Sequence, residues 1–225
     1  MEVANELMLK GIVVGVFQEN CWVIGNRRTG EGICIDPGDQ PDEVLALARD
    51  LGVTIKLIAN SHAHIDHVLG VKGIHSRTGA KFLLHHQDLD LLRDGFKMSV
   101  ARFGLDPSQQ PPDPDQYVED EDIIEVAGVR LRAMTTPGHT PGSVSYYCEE
   151  AGAVFSGDTL FRGSIGRTDM PGGSHEEEMT SICDRLLVLP EETLVLPGHM
   201  EQTTIQFEKK HNPFVLEFRM RRGEI

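Results

Sequence analysis

A repeated junction limits the fold of this sequence more than any other feature: four short apolar runs of β-strand type lead almost directly into histidine or aspartate. Glycine or proline stands beside three of these residues, so the backbone can turn sharply and present the side chain. Strand ends in mixed α/β folds are where functional sites commonly assemble. The sequence therefore predicts a sheet edge that gathers several ligating side chains. The junctions are residues 55–59 leading to His62, 131–136 to His139, 153–156 to Asp158 and 194–196 to His199.

Strands and helices are predicted to alternate along the chain, which favours a mixed α/β fold of two sheets covered by helices. The first helix has Asp39 or Gln40 near its N-cap, Pro41 in its first turn and Gly52 just past its end. A capping-box pattern at Ser174 opens a later helix. The predicted strands are 12–17, 21–24, 32–35, 55–59, 81–84, 123–126, 129–133, 144–148, 153–155 and 193–196. The predicted helices are 41–51, 68–78, 88–93, 174–189 and one from about 204, with an exposed excursion at 104–122.

The composition fits one protein core. The 225 residues are 40% apolar and contain no linker between two cores, so residues 1–225 are predicted to form a single domain. A formal net charge of −14 argues against broad binding to nucleic acid or to an anionic membrane. No apolar run approaches the roughly 20 residues that span a bilayer. The N-terminus lacks the basic and apolar regions of a signal peptide, so a cytoplasmic location is expected.

Four cysteines are scattered along the chain without a paired motif. A free cysteine behaves as a small apolar residue, and disulfides are rare in reducing compartments. Cys21, Cys34, Cys148 and Cys183 are therefore predicted to be reduced and mostly buried.

The densest group of potential ligands is His62-Ala63-His64-Ile65-Asp66-His67. Four ligands within six residues are too crowded for one tetrahedral ion. Alternate residues of an extended loop can converge on one ion, so His62 and His64 suit a first metal. Asp66 and His67, further round the turn, then suit a second. Imidazole together with carboxylate favours a borderline divalent ion such as Zn²⁺ or Fe²⁺.

Together with three further motifs, this cluster resembles the metallo-β-lactamase superfamily, and most of all its short glyoxalase-II-like (hydroxyacylglutathione hydrolase-like) branch. The resemblance covers about residues 20–214. It implies an α/β (α+β) fold, a four-layer αββα sandwich of two mixed sheets with the site along one edge. The further motifs are Gly138-His139-Thr140-Pro141-Gly142-Ser143, Gly157-Asp158-Thr159-Leu160-Phe161 and Pro197-Gly198-His199.

The resemblance also implies a site for two divalent metal ions, with zinc favoured and iron or manganese as alternatives. Seven side chains would hold the two ions, and one carboxylate would bridge them. By position, the ligands are His62, His64 and His139 for the first ion, Asp66, His67 and His199 for the second, and Asp158 for both.

Such a site implies a hydrolytic mechanism. Two cations about 3.5–4 Å apart can share a water, lower its pKa and polarise a carbonyl oxygen. The predicted nucleophile is the hydroxide that bridges them, and one metal stabilises the developing oxyanion. Asp66 orients that hydroxide or shuttles its proton. The resemblance implies a small-molecule acyl thioester or ester as substrate, of the S-lactoylglutathione type, with no nucleic-acid or membrane partner.

The prediction of substrate contacts rests on one loop and one departure from the family pattern. Arg162 and Arg167 are predicted to meet a substrate carboxylate; the alternative is a structural loop in which carbonyls and Asp169 satisfy them. Longer glyoxalase II enzymes grip glutathione with a C-terminal helical domain, whereas only residues 200–225 follow His199 here. Neither the thiol carrier nor the oligomeric state follows from the sequence.

Other functions would use similar residues. A persulfide dioxygenase with one iron ion also fits residues 166–169, and a lactonase needs the same hydroxide in a different pocket. A secreted β-lactamase is disfavoured by the missing signal peptide and by the lack of a cysteine ligand. A binding module held by metal alone more often has a closed, cysteine-rich site. The histidines without partners at ligand spacing, predicted to be structural or solvated, are His75, His85, His86, His175 and His211.

Overall fold

Two six-stranded sheets form the centre of the computed structural model, which describes residues 6–225; residues 1–5, on which the signal-peptide prediction largely rests, lie outside it. The first sheet contains, in spatial order, Leu7–Val14 (β1), Glu19–Asn26 (β2), Glu31–Ile35 (β3), Thr54–Ala59 (β4), Lys81–Leu84 (β5) and Gln116–Tyr117 (β6). The second contains Ile123–Val126 (β7), Val129–Thr135 (β8), Val144–Cys148 (β9), Ala153–Gly157 (β10), Leu194–Pro197 (β13) and Thr203–Thr204 (β14). A short hairpin pairs Leu160–Phe161 (β11) with Ser164–Ile165 (β12).

Both sheets mix parallel and antiparallel pairs. In the first, β1 to β3 form an antiparallel meander and β3 to β6 run parallel. In the second, β7 to β10 are antiparallel, and β13 lies parallel to β10 but antiparallel to β14. Parallel neighbours end at the same sheet edge. The carboxyl ends of β4 and β5 therefore lie side by side, as do those of β10 and β13.

Alternate residues of a strand pack into different cores. On β3, Ile33 and Ile35 face the second sheet, whereas Cys34 packs towards the helices. On β10, Phe155 lies between the sheets and Val154 packs against the outer helices. Strands buried on both faces need nearly continuous apolar sequences, which these short runs provide. One core between the sheets and one outside each of them separate four layers, which confirms the predicted αββα sandwich.

Helices cover the outer faces of both sheets. They are Pro41–Asp50 (α1), Ile65–Val68 (α2), Val71–Thr78 (α3), Phe96–Phe103 (α4), His175–Ser181 (α5), Ile205–His211 (α6) and Pro213–Arg221 (α7). Helices α1 and α3 contact the first sheet, and α5 to α7 contribute to the core outside the second. Within residues 6–225, no helix is long and apolar enough to cross a lipid bilayer.

Helix α1 forms where the sequence predicts it. Pro41 occupies the first turn, where its missing N–H costs nothing, and Asp42 and Glu43 place negative charge near the helix N-terminus. Val44 and Leu47 are buried against the first sheet. The local signals and the packing agree, so this prediction is confirmed to within one residue.

The helix predicted at 68–78 is confirmed over α3, but it begins three residues later than predicted, because Gly70 separates α3 from the short α2 before it. Gly70 at the break donates a 2.8 Å hydrogen bond to the carbonyl of Pro37. A Cβ on Gly70 would come within 2.6 Å of that oxygen, so only glycine permits this approach. The break leaves α2 as a single short turn that carries Asp66 and His67.

Residues 86–122 also differ from the prediction. Instead of a short helix at 88–93, a 3₁₀ turn at His86–Asp88 and a π-helical turn at Leu91–Gly95 lead into α4. Part of the predicted exposed excursion forms β6, and Val118 beyond it is buried. Its amide donates to the carbonyl of Leu84. The proline-rich and acidic composition hid this strand because only a few of its neighbours are apolar.

Helix ends near the C-terminus also depart from the prediction. The helix expected at 174–189 is α-helical only over α5 and continues as a π-helical turn at Ile182–Leu186. Ser174 caps it as predicted, since its side chain accepts from the amide of Glu177. The closing helix is in fact two, because Asn212 ends α6 and caps α7, which begins at Pro213.

All four cysteines are free thiols, as predicted. Cys21, Cys34 and Cys148 are buried, and Cys183 is half-buried. The sulfurs of Cys21 and Cys34 lie 3.6 Å apart on neighbouring strands, and burial raises the pKa of Cys21 well above its ordinary value. Buried thiols of raised pKa are poor nucleophiles, so these residues serve the core.

Replacing Tyr146 with phenylalanine is expected to lower the free energy of unfolding by about 1–3 kcal/mol. The hydroxyl of this buried tyrosine donates a 2.7 Å hydrogen bond to the carbonyl of Asn60, which would lose its donor. Urea denaturation measures the change. Tyr117→Phe, at a position 48% exposed, is the matched control and should change stability by less than about 0.5 kcal/mol. Equal effects of the two substitutions would contradict this role of the buried hydroxyl.

Candidate metal centre

The four predicted junctions meet at one edge of the sandwich. The carbonyl of Ser61, next to the first junction, accepts a 2.8 Å hydrogen bond from the amide of Val144 in the second sheet. The carbonyl of Gly157 accepts a bond of the same length from the amide of Gly198, which joins the third junction to the fourth. Residues far apart in the chain therefore converge at this edge.

One group of ligand atoms comes from His62, His64 and His139. Each residue contributes one ring nitrogen, and these nitrogens lie within 4.8 Å of one another. His64 Nδ1 and His139 Nε2 are 2.8 Å apart. The rings of His62 and His139 meet edge to face and are buried. The structure thus brings together the three residues expected at the first ion.

A second group comes from Asp66, His67 and His199, whose ligand atoms also lie within 4.8 Å of one another. Asp158 stands between the groups. Its Oδ1 is 3.4 Å from His67 Nε2, and its Oδ2 is 3.6 Å from His139 Nε2 and 3.7 Å from His199 Nε2. A carboxylate in reach of both groups has the position that a bridging ligand requires.

Three ligand atoms at this centre are buried and have no hydrogen-bond partner among residues 6–225: His62 Nε2, His67 Nε2 and Asp158 Oδ1. Buried polar atoms are nearly always paired, because an unpaired one costs its full desolvation penalty. Divalent cations bound by imidazole and carboxylate would pair all three. The donor set therefore fits the metals that the sequence implies.

The pKa shifts of His62, His64 and Asp158 suit metal ligands, whereas neighbouring carboxylates outweigh burial and raise the pKa of His67 and His199, which would give up a proton to a bound cation. Burial, reinforced by neighbouring imidazoles, lowers the pKa of His62 well below its ordinary value and that of His64 to about 3, so both rings are neutral. Burial opposes a charge on Asp158, but the nearby His67 outweighs it and holds the pKa of this carboxyl well below its usual range. Neutral imidazole and ionised carboxylate are the forms that bind cations.

Comparison with known families agrees with this geometry. The family model of the metallo-beta-lactamase superfamily matches residues 14–199, which include every one of the seven predicted ligands. The chain belongs to the metallo-β-lactamase superfamily. Membership implies that the fold binds divalent metal.

Relatives within the superfamily match nearly the whole chain. The hydroxyacylglutathione hydrolase GloC of Haemophilus influenzae is 33% identical over 205 residues, which are 91% of this chain and 96% of GloC. The crystal structure of the BLEG-1 B3 metallo-beta-lactamase has a TM-score of 0.85 and 34% identity, covering 92% of this chain and 99% of its own. TTHA1623 in a di-iron-bound form has a TM-score of 0.80 and 37% identity, covering 91% and 99%. These similarities support a metal-dependent hydrolase.

Asp36 is a residue of the superfamily site that the sequence analysis missed. Its buried carboxylate accepts hydrogen bonds from the Ser61 amide and hydroxyl, both at 2.6 Å, and lies 3.2 Å from His67 Nδ1. Since the Ser61 proton goes to Asp36, the Ser61 oxygen accepts from His62 Nδ1, 2.9 Å away. Ser61, held by Asp36, therefore orients the ring of His62 by its outer nitrogen, and the Asp36 carboxylate lies beside the outer nitrogen of His67. A signal was present, because residues 31–35 lead into Asp36 as other strands lead into the ligands.

Glu178 fixes the loop of His139 in this superfamily member. Its Oε2 accepts a 2.8 Å hydrogen bond from the amide of His139, and burial raises the pKa of Glu178 to about 9, so the carboxyl is protonated at neutral pH. Gly138 has a φ of 145°, and a Cβ there would overlap the Glu178 backbone. His139 Nδ1 donates to the carbonyl of Arg167 at 2.8 Å, which leaves Nε2 for the centre. Nothing local in the sequence links Glu178 to this loop.

Asp88 joins the first ligand motif to the second. Its buried Oδ2 accepts from the amide of Ala63 at 3.0 Å and from the hydroxyl of Thr140 at 2.9 Å. Its Oδ1 accepts from the amide of Gly142 at 2.8 Å. The sequence analysis placed Asp88 only at the start of a helix, because its partners lie in two other segments.

The two predicted substrate-binding arginines differ in their surroundings. Arg167 forms a two-point hydrogen-bonded pair with Asp169, at 2.8 and 3.0 Å. Arg162 lies over the ring of Phe207, 4.9 Å from its centroid, and 3.9 Å from a carboxylate oxygen of Glu201. Both side chains are largely exposed. The backbone carbonyl of Arg167, rather than its side chain, contacts a predicted ligand, because it accepts the hydrogen bond from His139 Nδ1.

The histidines that the sequence analysis set aside do not all lack partners. His75 Nε2 lies 3.3 Å from Asp115. His85 and His86 share Glu119 as a neighbour of ligand type, although neither has a partner at ligand spacing in the sequence; that they are structural or solvated stays a prediction. The partner was not apparent because it lies 33 residues further along the chain.

Proposed function

We propose that this chain is a binuclear metal-dependent hydrolase of a thioester or small ester, with S-lactoylglutathione as the type of substrate. The observation that carries the proposal is the arrangement of seven ligating side chains in two groups with Asp158 in reach of both. Three ligand atoms are buried without a partner. One cation in either group would leave ligands of the other unused, so a pair of cations fits better.

Each side chain has a proposed role at this pair of cations. The proposed ligands are His62, His64 and His139 for the first, Asp66, His67 and His199 for the second, and Asp158 for both. When bound, two divalent cations supply water activation and polarisation of a substrate carbonyl. Ser61 and Asp36 hold the rings of His62 and His67 for this purpose.

Asp66 is the proposed proton carrier. Its Oδ2 lies 3.2 Å from His199 Nε2, and its side chain is 20% exposed. A cation bound at this group would keep the Asp66 carboxylate ionised at neutral pH, and the carboxylate could then orient a water or accept its proton.

The similarity to GloC supports the proposed substrate class. GloC is described as a hydroxyacylglutathione hydrolase, and 96% of its length aligns with this chain. This hydroxyacylglutathione hydrolase therefore aligns over nearly its whole length with nearly the whole of this chain. The short segment after His199, which departs from the longer glyoxalase II enzymes, thus does not argue against a thioester of glutathione.

The proposed metal is zinc, with iron or manganese as alternatives. Five imidazoles and two carboxylates suit borderline divalent cations, and they suit iron as well as zinc. TTHA1623, whose structure is in a di-iron-bound form, supports the alternative. Metal analysis therefore belongs in the test of function.

Arg162 and Arg167 stay proposed contacts for a substrate carboxylate. Arg162 fits this role better, because its exposed guanidinium has one distant carboxylate partner, whereas Asp169 already binds Nε and Nη2 of Arg167. We also propose a cytoplasmic location and a small-molecule substrate rather than a nucleic acid or membrane partner. Four free thiols support the location, since disulfides are rare in reducing compartments.

Purified protein is expected to contain close to two equivalents of zinc and to hydrolyse S-lactoylglutathione faster than a lactone, a glutathione persulfide or a β-lactam. Elemental analysis and initial rates on these four substrates, measured on one tag-free preparation, test the proposal. Protein treated with a chelator is the control, and added Zn²⁺ should restore its activity. Oxygen consumption with the persulfide and one iron per chain would indicate a dioxygenase instead. Preference for the lactone or the β-lactam would contradict the thioester proposal.

A further inference from the structure

We propose that His85, His86 and Glu119 form a separate site for a borderline divalent cation such as Zn²⁺, at the carboxyl end of β5. This site shares no residue with the seven proposed ligands. One ligand atom from each of its three residues lies within 4.8 Å of the other two. His85 Nε2 is 3.6 Å from one Glu119 oxygen, and His86 Nδ1 is 3.0 Å from the other.

The backbone explains how two consecutive histidines face the same ligand. Adjacent residues of a strand point to opposite faces, which would separate the two rings. Here β5 has ended, His85 is still extended, and His86 begins a 3₁₀ turn. The turn brings the ring centroids to 4.5 Å with 36° between the ring planes. Both rings therefore lie beside the carboxylate of Glu119.

The local charge favours a cation. The amide of Glu119 donates to Asp122, which places a second carboxylate near by. Arg185 pairs with Asp120 and Glu121 rather than with Glu119. Among the ion pairs of residues 6–225, Glu119 thus has the two imidazoles as partners and no lysine or arginine.

The expected site is open and of moderate affinity. Two imidazoles and a carboxylate leave at least one position of a tetrahedral ion to water. His86 and Glu119 are about half exposed, whereas His85 is buried. Binding at Nε2 requires the single proton of neutral His85 to sit on Nδ1, which gives up a long 3.4 Å contact with the amide of Gln87. That loss weakens the site without preventing it.

This site lies on the same segment as a residue that organises the metal centre. Asp88 follows His86 by two positions and holds the backbones of Ala63 and Gly142. Parallel β4 and β5 end at the same edge, so the two sites are neighbours on one face of the sandwich. Metal binding at the two sites can nevertheless be measured separately, because a substitution can remove a ligand of one site and leave the other site intact.

Competitive Zn²⁺ titration of tag-free protein against a chromophoric chelator tests the site. Wild-type protein is expected to bind one equivalent more than His86→Gln and Glu119→Gln, which remove one ligand each. The affinity of the affected site should fall at least about tenfold, since even outer contacts of a metal site are worth that much. His175→Gln is the matched control, because this histidine is exposed and lies in no ligand group of the described chain. Mg²⁺ should not compete, because it prefers oxygen ligands.

Equal Zn²⁺ stoichiometry in wild type and in either ligand variant would overturn the proposal. Thermal unfolding with saturating Zn²⁺ gives a second measurement, in which the variants should lose part of the metal-dependent rise in Tm. The difference of one equivalent between proteins tests this site alone. If the binuclear hydrolase proposal failed, the number of Zn²⁺ ions bound per chain would instead change equally in wild type and in the His86→Gln, Glu119→Gln and His175→Gln variants.

Discussion

Asp158→Ala is expected to lose bound metal and to reduce hydrolase activity more than about 100-fold while the fold survives. Losing a residue that only supports a metal ligand already lowers metal affinity or activity about 10–100-fold. Asp158 is itself in reach of both groups of ligands, so its loss should have a larger effect. Its Oδ1 has no hydrogen-bond partner among the described residues, so its removal breaks little of the fold. His64→Ala should behave similarly, since it removes one imidazole from the group formed by His62, His64 and His139.

Elemental analysis, initial rates and circular dichroism of the purified variants measure the three parts of this prediction. Asp169→Ala is the matched control, because its carboxylate lies in the following loop and pairs with exposed Arg167. The control should retain its metal. Full activity or an unchanged metal content in Asp158→Ala or His64→Ala would refute the site itself.

Asp36→Asn is expected to lower the free energy of unfolding by about 2–4 kcal/mol and metal affinity by about 10–100-fold. The carboxylate accepts two 2.6 Å hydrogen bonds from Ser61 and faces His67 Nδ1. An amide has only one acceptor oxygen, so its NH₂ group would point at a donor. Asparagine tolerates the left-handed backbone of residue 36, with φ of 47°, so the effect isolates the charge and the hydrogen bonds.

Chemical denaturation with and without metal separates the two effects of Asp36→Asn. Asp50→Asn is the matched control, since Asp50 is exposed at the end of α1. It should change stability by less than about 0.5 kcal/mol. If Asp36→Asn kept both stability and metal affinity, then the orientation of His62 and His67 would not depend on this carboxylate.

Local sequence was sufficient wherever a feature depends on neighbours in the chain. Helix α1 needs only Pro41, an acidic first turn and an apolar face, and all of these lie within ten residues. The proposed ligands were picked out in the same way, because each stands in a short motif at the end of a strand. The start of the helix predicted at 68–78 was wrong for the opposite reason, because the contact of Gly70 with the carbonyl of Pro37 sets where α3 begins.

The residues that support the ligands show where local sequence is insufficient. Asp36 contacts Ser61 across 25 positions, Glu178 contacts His139 across 39, and Asp88 contacts Gly142 across 54. Each of these carboxyl groups is buried, and burial is decided by sheet order and loop course. Glu119 joins His85 and His86 for the same reason, although its own surroundings predicted an exposed loop.

The sequence by itself indicated a mixed α/β fold of two sheets, and its resemblance to the superfamily implied the αββα arrangement and the seven proposed ligands, because strand patterns and metal motifs are short-range features. Only the tertiary structure decided which ring nitrogens face inward and which carboxyl groups hold them. Hydrogen bonds between distant segments form only after the two sheets have packed, so no local pattern specifies them. The orientation of the metal centre is thus a property of the folded edge, whereas its composition is a property of the chain.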